Sequence, residues 1–312
     1  MTMPATKPPV VRRRYALLLA LWDSDYATKV YGGYHNVFVS AFGSGAGERW
    51  DSYRVIAGEF PLLDDLASYD GFVVSGSPHD AHGEEPWVHR LCALLRTLHA
   101  MGKRVLGVCF GHQLLCRALG GKVARARNGW DVGVRNVTFA RGLVNNGGFG
   151  FLGGLGGKGE LVLPTTTATI VEVHRDEVWE IPPGATVVAY SEKTRVEAFV
   201  VGENVLGIQG HLEYTSDILL ELVDRLTGQS AIDGSVGDEA RRTVAVTGGP
   251  DRAVWTGLCK SFLRGGLKSS SSSTVAMDVA GRAAGAAANV VGSCFAGCGA
   301  PMVQLACRAG IN

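Results

Sequence analysis

The sequence lacks the features that mark membrane-spanning and nucleic-acid-binding proteins. It has no run of about 18 or more consecutive apolar residues, so it predicts no transmembrane helix. It also has no excess of charge, because 30 lysines and arginines face 29 aspartates and glutamates, for a formal net charge of +1. This balance offers no electrostatic attraction to nucleic acid or to an anionic membrane surface. We therefore expect neither partner.

Cysteine is present, but not in a pattern that stabilises secreted domains. The seven cysteines are an odd number and have no CxxC spacing, which is more typical of a reduced, intracellular chain than of a disulfide framework. Residues 1–14 contain three prolines and three arginines but lack the order of a secretory signal. We expect the cytosol, with a short organelle transit segment as the alternative.

The composition predicts one main folded domain with less ordered ends. Apolar residues make up 46% and charged residues 19% of 312 residues, which is enough to bury a sizeable core. The 43 glycines exceed what an ordinary domain needs. We expect a disordered segment over residues 1–14, a folded domain over 15–265 and a low-complexity, disordered tail over 266–312. The glycine-rich residues 145–159 are expected to form a mobile loop.

Hydrophobic periodicity predicts an α/β fold. In the first half, short apolar strands at residues 15–21, 71–74 and 104–109 alternate with helices at 87–100 and 112–118. Such alternation favours a parallel sheet with both faces covered. The second half is richer in strands, predicted at residues 134–139, 168–173, 186–190, 196–201 and 205–209. Helices are expected at 216–226 and 252–263.

One cysteine stands where a strand turns sharply into a helix. Cys109 ends an apolar strand, with Gly107 two residues before it and Gly111 two residues after it. Small residues at these places allow the tight bend of a nucleophile elbow, in which the central side chain projects outward. The helix N-terminus would stabilise a thiolate there. The sequence predicts a nucleophile, and the alternative is a buried structural cysteine.

A base for this thiol occurs about a hundred residues later. In an extended segment, His211 and Glu213 point to the same side. Glu213 can then hold one ring nitrogen of His211 and leave the other for Cys109. Taken alone, a His-x-Glu pair is more often a solvated surface pair.

Several spaced motifs together resemble a known family. Residues 107–113 (GVCFGHQ), 74–78 (VSGSP) and 210–213 (GHLE) are similar to a class I glutamine amidotransferase domain, and within that superfamily to the plant gamma-glutamyl peptidases. The resemblance spans about residues 15–265. Further matching positions are Trp22, residues 31–34, 74–80 and 129–131, His174, and residues 176–179 and 209–215.

The resemblance implies a fold and a site. The fold would be a flavodoxin-like, doubly wound, mostly parallel sheet with an additional antiparallel strand region. Cys109 would attack the γ-glutamyl carbonyl to form a thioester, His211 would transfer protons, and Glu213 would orient His211. The oxyanion hole would come from backbone N–H groups of Phe110 and of the turn at Gly76 and Ser77. Gln113, His174 and Asp176 would lie near the bound glutamyl group. No cofactor is implied.

Several of these residues have plainer interpretations. Gln113 is alternatively a helix-surface residue, and His174 with Asp176 a solvated pair at a strand end. His112 is expected to be a helix-surface histidine and not a second base. A metal could be suspected from four residues after the oxyanion turn, but without a further ligand set we expect an ordinary loop and no metal site. The four are His79, Asp80, His82 and Glu84.

One position departs from the family pattern. Relatives carry proline between the histidine and the glutamate, whereas this chain has Leu212. Proline would restrict the backbone there and hold His211 extended, so we expect leucine to leave the segment looser and the activity reduced but present. Leu212→Pro should then raise the rate on a γ-glutamyl substrate, and a slower proline variant would contradict this expectation.

The expected function is hydrolysis of the γ-glutamyl bond of glutathione or its conjugates, with a small-molecule substrate as the only partner. The nearest alternative is a glutaminase subunit that passes ammonia to a partner synthase. A non-catalytic binding protein of the same fold is favoured by Leu212 and the unusual tail. A redox or glyoxalase-type relative would carry histidine directly after the cysteine, where this chain has Phe110.

Overall fold

A nine-stranded mixed sheet forms the centre of the computed structural model, which describes residues 13–43, 45, 47–140 and 166–265. The strand order is β2-β1-β3-β4-β11-β10-β9-β6-β7, and β5 pairs with β8 in a separate two-stranded sheet. Strands β1 to β11 are Arg13–Leu19, Glu48–Arg54, Gly71–Val74, Arg104–Val108, Lys122–Arg125, Asp131–Phe139, Thr167–His174, Asp176–Glu180, Ala185–Tyr190, Ala198–Val201 and Val205–Ile208.

The sheet changes character at β11. The five strands from β2 to β11 run parallel, whereas β10, β9, β6 and β7 continue from β11 as antiparallel neighbours. The fold class predicted from the sequence, a mostly parallel α/β sheet with an antiparallel region, is confirmed. Its antiparallel half curves back toward β11, since Val171 of β7 pairs with His211 just beyond that strand.

Helices cover both faces of the sheet and enclose two apolar clusters. Because both faces of the sheet are covered, the buried strands contain continuous runs of apolar residues, as β1 does. Helices α1 to α7 are Asp25–Tyr31, Tyr34–Phe42, Pro86–Ala100, Phe110–Ala118, Ser216–Gly228, Gly234–Thr247 and Arg252–Arg264. In the described part of the chain, no helix is long and apolar enough to cross a membrane.

Most predicted elements lie close to the observed ones, and the differences have local causes. β1 begins at Arg13, before the predicted start, because Arg13 and Arg14 extend the pairing with β2. β5 and β8 are absent from the sequence prediction because they are short and form only a two-stranded sheet. The hydrophobic pattern also gives no sign of α6, since this helix begins at a glycine and buries only Gly237 and Ala240.

Three regional predictions lie partly or wholly outside the described residues. The predicted disordered segment over residues 1–14 is described only at its last two residues, 13 and 14. The predicted mobile loop over 145–159 and the predicted tail over 266–312 lie wholly outside the described residues. The domain limits that follow from them stay predictions.

Candidate active site

Three neighbouring parallel strands end at the same edge of the sheet and bring the motif residues together. β4 lies between β3 and β11, with Val74 opposite Gly107 and Ile208 opposite Val108. Just beyond the ends of these three strands lie the turn at Gly76, the bend at Cys109 and the segment that carries His211. The carboxyl edge of a parallel sheet is where α/β proteins commonly build their sites. Residues far apart in sequence are therefore adjacent here.

Cys109 adopts the strained conformation of a nucleophile elbow. Its φ of 50° and ψ of −104° place it in a region that non-glycine residues rarely occupy. The bend requires both neighbouring glycines: a Cβ on Gly107 would lie 2.4 Å from the carbonyl oxygen of Gly111, and one on Gly111 would lie 2.5 Å from that of Val74. The sequence motif is thus explained by backbone packing around the cysteine.

His211 is fixed by its backbone and by one ring nitrogen. Its N–H donates to the carbonyl of Val171 at 2.7 Å, and its Nδ1 lies 2.8 Å from Glu213 Oε1. The ring also lies close enough to Cys109 for the two groups to interact electrostatically. Because Glu213 engages Nδ1, Nε2 is the nitrogen available to the sulfur. The structure therefore brings together the three residues that the sequence analysis singled out.

The charges around His211 favour its protonated form. Burial acts to lower the pKa of His211, but the neighbouring Glu213 carboxylate and Cys109 thiolate overcome that effect and raise the pKa to about 10. Below that pH the ring carries a proton. At physiological pH the structure therefore places a positively charged imidazolium beside the sulfur of Cys109.

The flat face of the His211 ring is also held in place. The ring of Tyr214 stacks on that of His211, with centroids 4.2 Å apart and planes 3° from parallel. Gly76 lies against the ring edge, where a Cβ would come within 2.7 Å of His211 Cε1. Glu213 restricts rotation within the ring plane, and Tyr214 restricts tilting out of it.

A buried serine orients the turn that follows β3. Ser75 Oγ accepts a hydrogen bond from the N–H of Ala20 at 2.8 Å and donates one to the carbonyl of Gly76 at 2.9 Å. In a trans peptide the carbonyl and the following N–H point in opposite directions. Fixing the Gly76 carbonyl therefore turns the Ser77 N–H away from Ser75.

The predicted substrate-binding residues form one buried group instead of a solvated surface. Gln113 is 4% exposed, His174 4% and Asp176 6%. Gln113 Nε2 donates to the carbonyl of Asp176 at 2.8 Å, and His174 Nδ1 lies 3.0 Å from the same oxygen. The surface alternatives for Gln113, His174 and Asp176 are wrong, because all three side chains are buried.

His112 is likewise not a surface residue. It is fully buried and packs against Phe199, with ring centroids 4.9 Å apart. Burial lowers the pKa of His112 to about 3, so the ring is neutral at physiological pH. The interpretation of His112 as a helix-surface histidine is wrong, because α4 is buried on nearly every side.

Two buried glutamates line the antiparallel half of the sheet near the cysteine. Glu172 is fully buried and Glu197 is 1% exposed. Burial raises the pKa of Glu197 to about 7, and burial together with the charge of Glu197 holds the pKa of Glu172 well above its usual range. Glu172 Oε2 lies 3.4 Å from His174 Nε2. Since Nδ1 of His174 donates to a carbonyl, Nε2 carries no proton in the neutral ring, and burial lowers the pKa of His174 to about 4.

The loop that follows Gly76 and Ser77, together with the first residue of β8, offers a set of groups that could ligate a metal ion. Asp80, His82 and Asp176 offer atoms that all lie within 4.8 Å of one another, and Asp176 is the further ligand that the sequence did not reveal. Arg125 already supplies positive charge here, with Nε 2.7 Å from Asp176 and Nη2 3.2 Å from Asp80. A cation would have to displace this guanidinium.

Leu212 is anchored by burial. Its side chain is fully buried in the apolar cluster on one face of the sheet, and the preceding residue is tied to Val171. Leu212→Pro would remove part of this packing while restricting the backbone. The predicted gain in rate is therefore to be measured together with the stability of the variant.

Three residues at the site have contacts that no sequence motif indicates. They are Ser75, Gln209 and Tyr214. Gln209 and Tyr214 lie within the quoted motif at residues 209–215, but their contacts depend on how β11 meets β4 and β7. Only the three-dimensional arrangement reveals them.

Comparisons with known proteins agree with this architecture. The class-I glutamine amidotransferase family matches residues 52–219. Two proteins of Arabidopsis thaliana, gamma-glutamyl peptidase 3 and gamma-glutamyl peptidase 5, are 46% and 47% identical over 254 residues. These matches cover 81% of this chain and 98% and 96% of the two proteins.

A solved structure supports the same fold. The crystal structure of a glutamine amidotransferase from Thermotoga maritima matches with a TM-score of 0.56 at 22% identity, covering 81% of this chain and 96% of that one. Taken with the family match and the identities of nearly one half, the predicted family is confirmed. The chain belongs to the class-I glutamine amidotransferase family.

Proposed function

We propose that this protein is a cysteine hydrolase that cleaves the γ-glutamyl amide bond of glutathione or a glutathione conjugate. The observation that carries the proposal is the proximity of Cys109, on a strained elbow, to His211, whose charge it influences and whose Nδ1 is held by Glu213. The two Arabidopsis relatives named gamma-glutamyl peptidase support the choice of substrate class. We place the reaction in the cytosol, with a small γ-glutamyl molecule as the substrate.

In the first half-reaction, the thiolate of Cys109 attacks the γ-carbonyl carbon of the substrate. The carbonyl electron pair moves to oxygen, where backbone N–H groups of Phe110 and Ser77 stabilise the negative charge. The tetrahedral intermediate then collapses and the C–N bond breaks. The leaving amine takes the proton from His211 Nε2, and a γ-glutamyl thioester remains on Cys109.

In the second half-reaction, water replaces the amine. The now neutral His211 takes a proton from water at Nε2, and the resulting hydroxide attacks the thioester carbonyl. Collapse releases glutamate and restores the thiolate next to a protonated imidazole. Glu213 accepts the hydrogen bond from Nδ1 in both half-reactions, so the ring keeps one orientation throughout.

A direct test compares two γ-glutamyl compounds. Purified protein is incubated with a glutathione conjugate or with free glutamine, and glutamate release is measured with Cys109→Ala as the background. The proposal predicts much faster release from the conjugate. Faster release from glutamine would favour the glutaminase subunit, and no release from either would favour a non-catalytic binding protein.

Removing the charge of Glu213 should shift the pH dependence of the reaction. Glu213→Gln removes the carboxylate that raises the pKa of His211, so this pKa falls and the alkaline limb of kcat/KM moves to lower pH. We also expect kcat/KM to fall roughly 100-fold, since the amide holds the imidazolium less well. The measurement is a pH profile of kcat/KM for both proteins.

The matched control is Glu203→Gln. Glu203 is exposed and precedes β11 at the opposite end of that strand from His211. Its replacement should leave the profile unchanged. An alkaline limb that stays in place in Glu213→Gln would show that Glu213 does not set the protonation of His211.

The hydroxyl of Ser75 should influence the rate more than substrate binding. Without it the Gly76 carbonyl is released and the Ser77 N–H loses its orientation, so Ser75→Ala is expected to lower kcat roughly 10- to 100-fold with little change in KM. The buried N–H of Ala20 also loses its acceptor, at a cost of about 1–3 kcal/mol of unfolding free energy. Steady-state kinetics and chemical denaturation measure both effects.

Ser75→Cys provides the comparison because it keeps a weaker donor at the same place. Its kcat should lie between those of the wild type and Ser75→Ala. If Ser75→Ala were as unstable as expected but kept the full kcat, the hydroxyl would be structural only.

A further inference from the structure

A second polar side chain contacts the sulfur of Cys109. Gln209 follows β11 directly and lies opposite Cys109 across the pairing of β11 with β4. It is fully buried, and its Nε2 lies 3.6 Å from Cys109 Sγ. Its backbone is held too, since its N–H donates to the carbonyl of Glu197 at 2.7 Å. The amide is thus fixed beside the reacting atom.

The orientation of this amide follows from a single backbone carbonyl. The carbonyl of Asp176 can only accept, so the atom of Gln113 that faces it at 2.8 Å is the nitrogen. The same nitrogen faces Gln209 at 3.0 Å, so the facing atom of Gln209 is its oxygen. The nitrogen of Gln209 is therefore the atom turned toward the sulfur.

We propose that Gln209 is a further catalytic residue, whose side-chain amide donates a hydrogen bond to Cys109 Sγ and stabilises the thiolate. Gln113 is then a positioning residue, because both of its N–H groups are used to hold Gln209 and to bind the carbonyl of Asp176. A donor to an ionised group favours the ionised form, and a hydrogen bond to a charged acceptor is stronger than one to a neutral acceptor.

Gln209 complements the other groups around the sulfur. Titratable groups that interact with Cys109 are His211 and Tyr214 beyond β11 and Glu172 on β7. His211 supplies a positive charge, whereas burial raises the pKa of Tyr214 and of Glu172 and so favours the uncharged form of both. Gln209 adds a donor that does not titrate, so its effect is present at every pH. This inference deepens the proposed function and rests on it only for the role of Cys109.

The test measures thiolate formation without a γ-glutamyl substrate. Iodoacetamide alkylates the thiolate, which displaces iodide to form a thioether, and the rate is followed against pH on the peptide that contains Cys109. In Gln209→Met the donor is lost, and we expect the midpoint of the rate profile to rise by about 0.5–1 pH unit. In Gln209→Glu an oxygen faces the sulfur, and the expected rise is about 1 unit or more.

Three comparisons make the outcome decisive. Gln229→Met, at an exposed position after α5, should leave the midpoint unchanged. Gln113→Met should raise the midpoint, because Gln209 is no longer oriented. If the Gln209 variants do not fold, the midpoint of Gln113→Met tests the proposal in their place. A midpoint for Gln209→Met within about 0.2 pH units of the wild-type midpoint would overturn the proposal. A rise seen only in Gln209→Glu would overturn it too, because such a rise would reflect only the added negative charge.

The two proposals fail in different ways. If the midpoint rises as expected but the wild type releases no glutamate from any γ-glutamyl compound, the proposed function fails and the role of Gln209 stands. If the wild type hydrolyses the substrate while Gln209→Met keeps its midpoint, the role of Gln209 fails alone.

Discussion

Replacing Cys109 with alanine is expected to abolish γ-glutamyl hydrolysis while leaving the fold intact. The substitution removes one sulfur atom from a residue whose backbone is held by its neighbours: its N–H donates to Ile208 and its carbonyl accepts from Gln113. Without the nucleophile no thioester forms, and we expect kcat/KM to fall roughly 10,000-fold or more. Steady-state kinetics and circular dichroism measure the two parts of this expectation.

A second buried cysteine provides the control. Cys92 lies on α3 and is 4% exposed, on the face that packs into the apolar core. Cys92→Ala deletes the same atom in a comparable environment but away from the elbow. It should lose some stability and keep its rate within a few-fold. Comparable loss of activity in both variants would mean that disturbed packing, and not a missing nucleophile, explains the effect.

Adding one methyl group at Gly111 is expected to destroy both activity and stability. In Gly111→Ala the new Cβ would lie 2.5 Å from the carbonyl oxygen of Val74 and 2.9 Å from the Cβ of Val74. β3 is fully buried and paired on both sides, so it cannot move away. We expect the free energy of unfolding to fall by roughly 3 kcal/mol or more, together with loss of the elbow geometry that presents Cys109.

The same substitution at Gly257 should have the opposite effect on stability. Gly257 lies within α7, and nothing lies within 4 Å of where its Cβ would be. Alanine is the better helix former, so Gly257→Ala is expected to stabilise the protein by up to about 1 kcal/mol without changing the rate. Chemical denaturation of both variants measures the contrast. A stable, active Gly111→Ala would show that the elbow is not sterically determined.

The elbow could be predicted from the sequence because its causes are local. Gly107 and Gly111 are close in sequence to Cys109, and the contacts that require glycine involve the same bend and its nearest strand. His211 could be proposed as the base because His211 and Glu213 form a pattern two residues long. The parallel core was predictable for a similar reason, since continuous apolar runs mark strands covered on both faces.

The remaining features depend on tertiary structure. His112 and Gln113 occupy helix positions that look exposed on a single amphipathic helix, but α4 is enclosed by the sheet and by the β5–β8 pair. Gln209 contacts the sulfur only because β11 pairs with β4 in one register. Asp176 meets Asp80 and His82 through folding alone. No local pattern contains these contacts.

The most direct test of the account is to trap the covalent intermediate. Wild-type protein is mixed with a γ-glutamyl substrate, quenched in acid during turnover and examined by mass spectrometry. The account predicts a mass increase of one γ-glutamyl group on the peptide that contains Cys109, absent from Cys109→Ala. Turnover that continues in Cys109→Ala, or an adduct on any other residue, would contradict it.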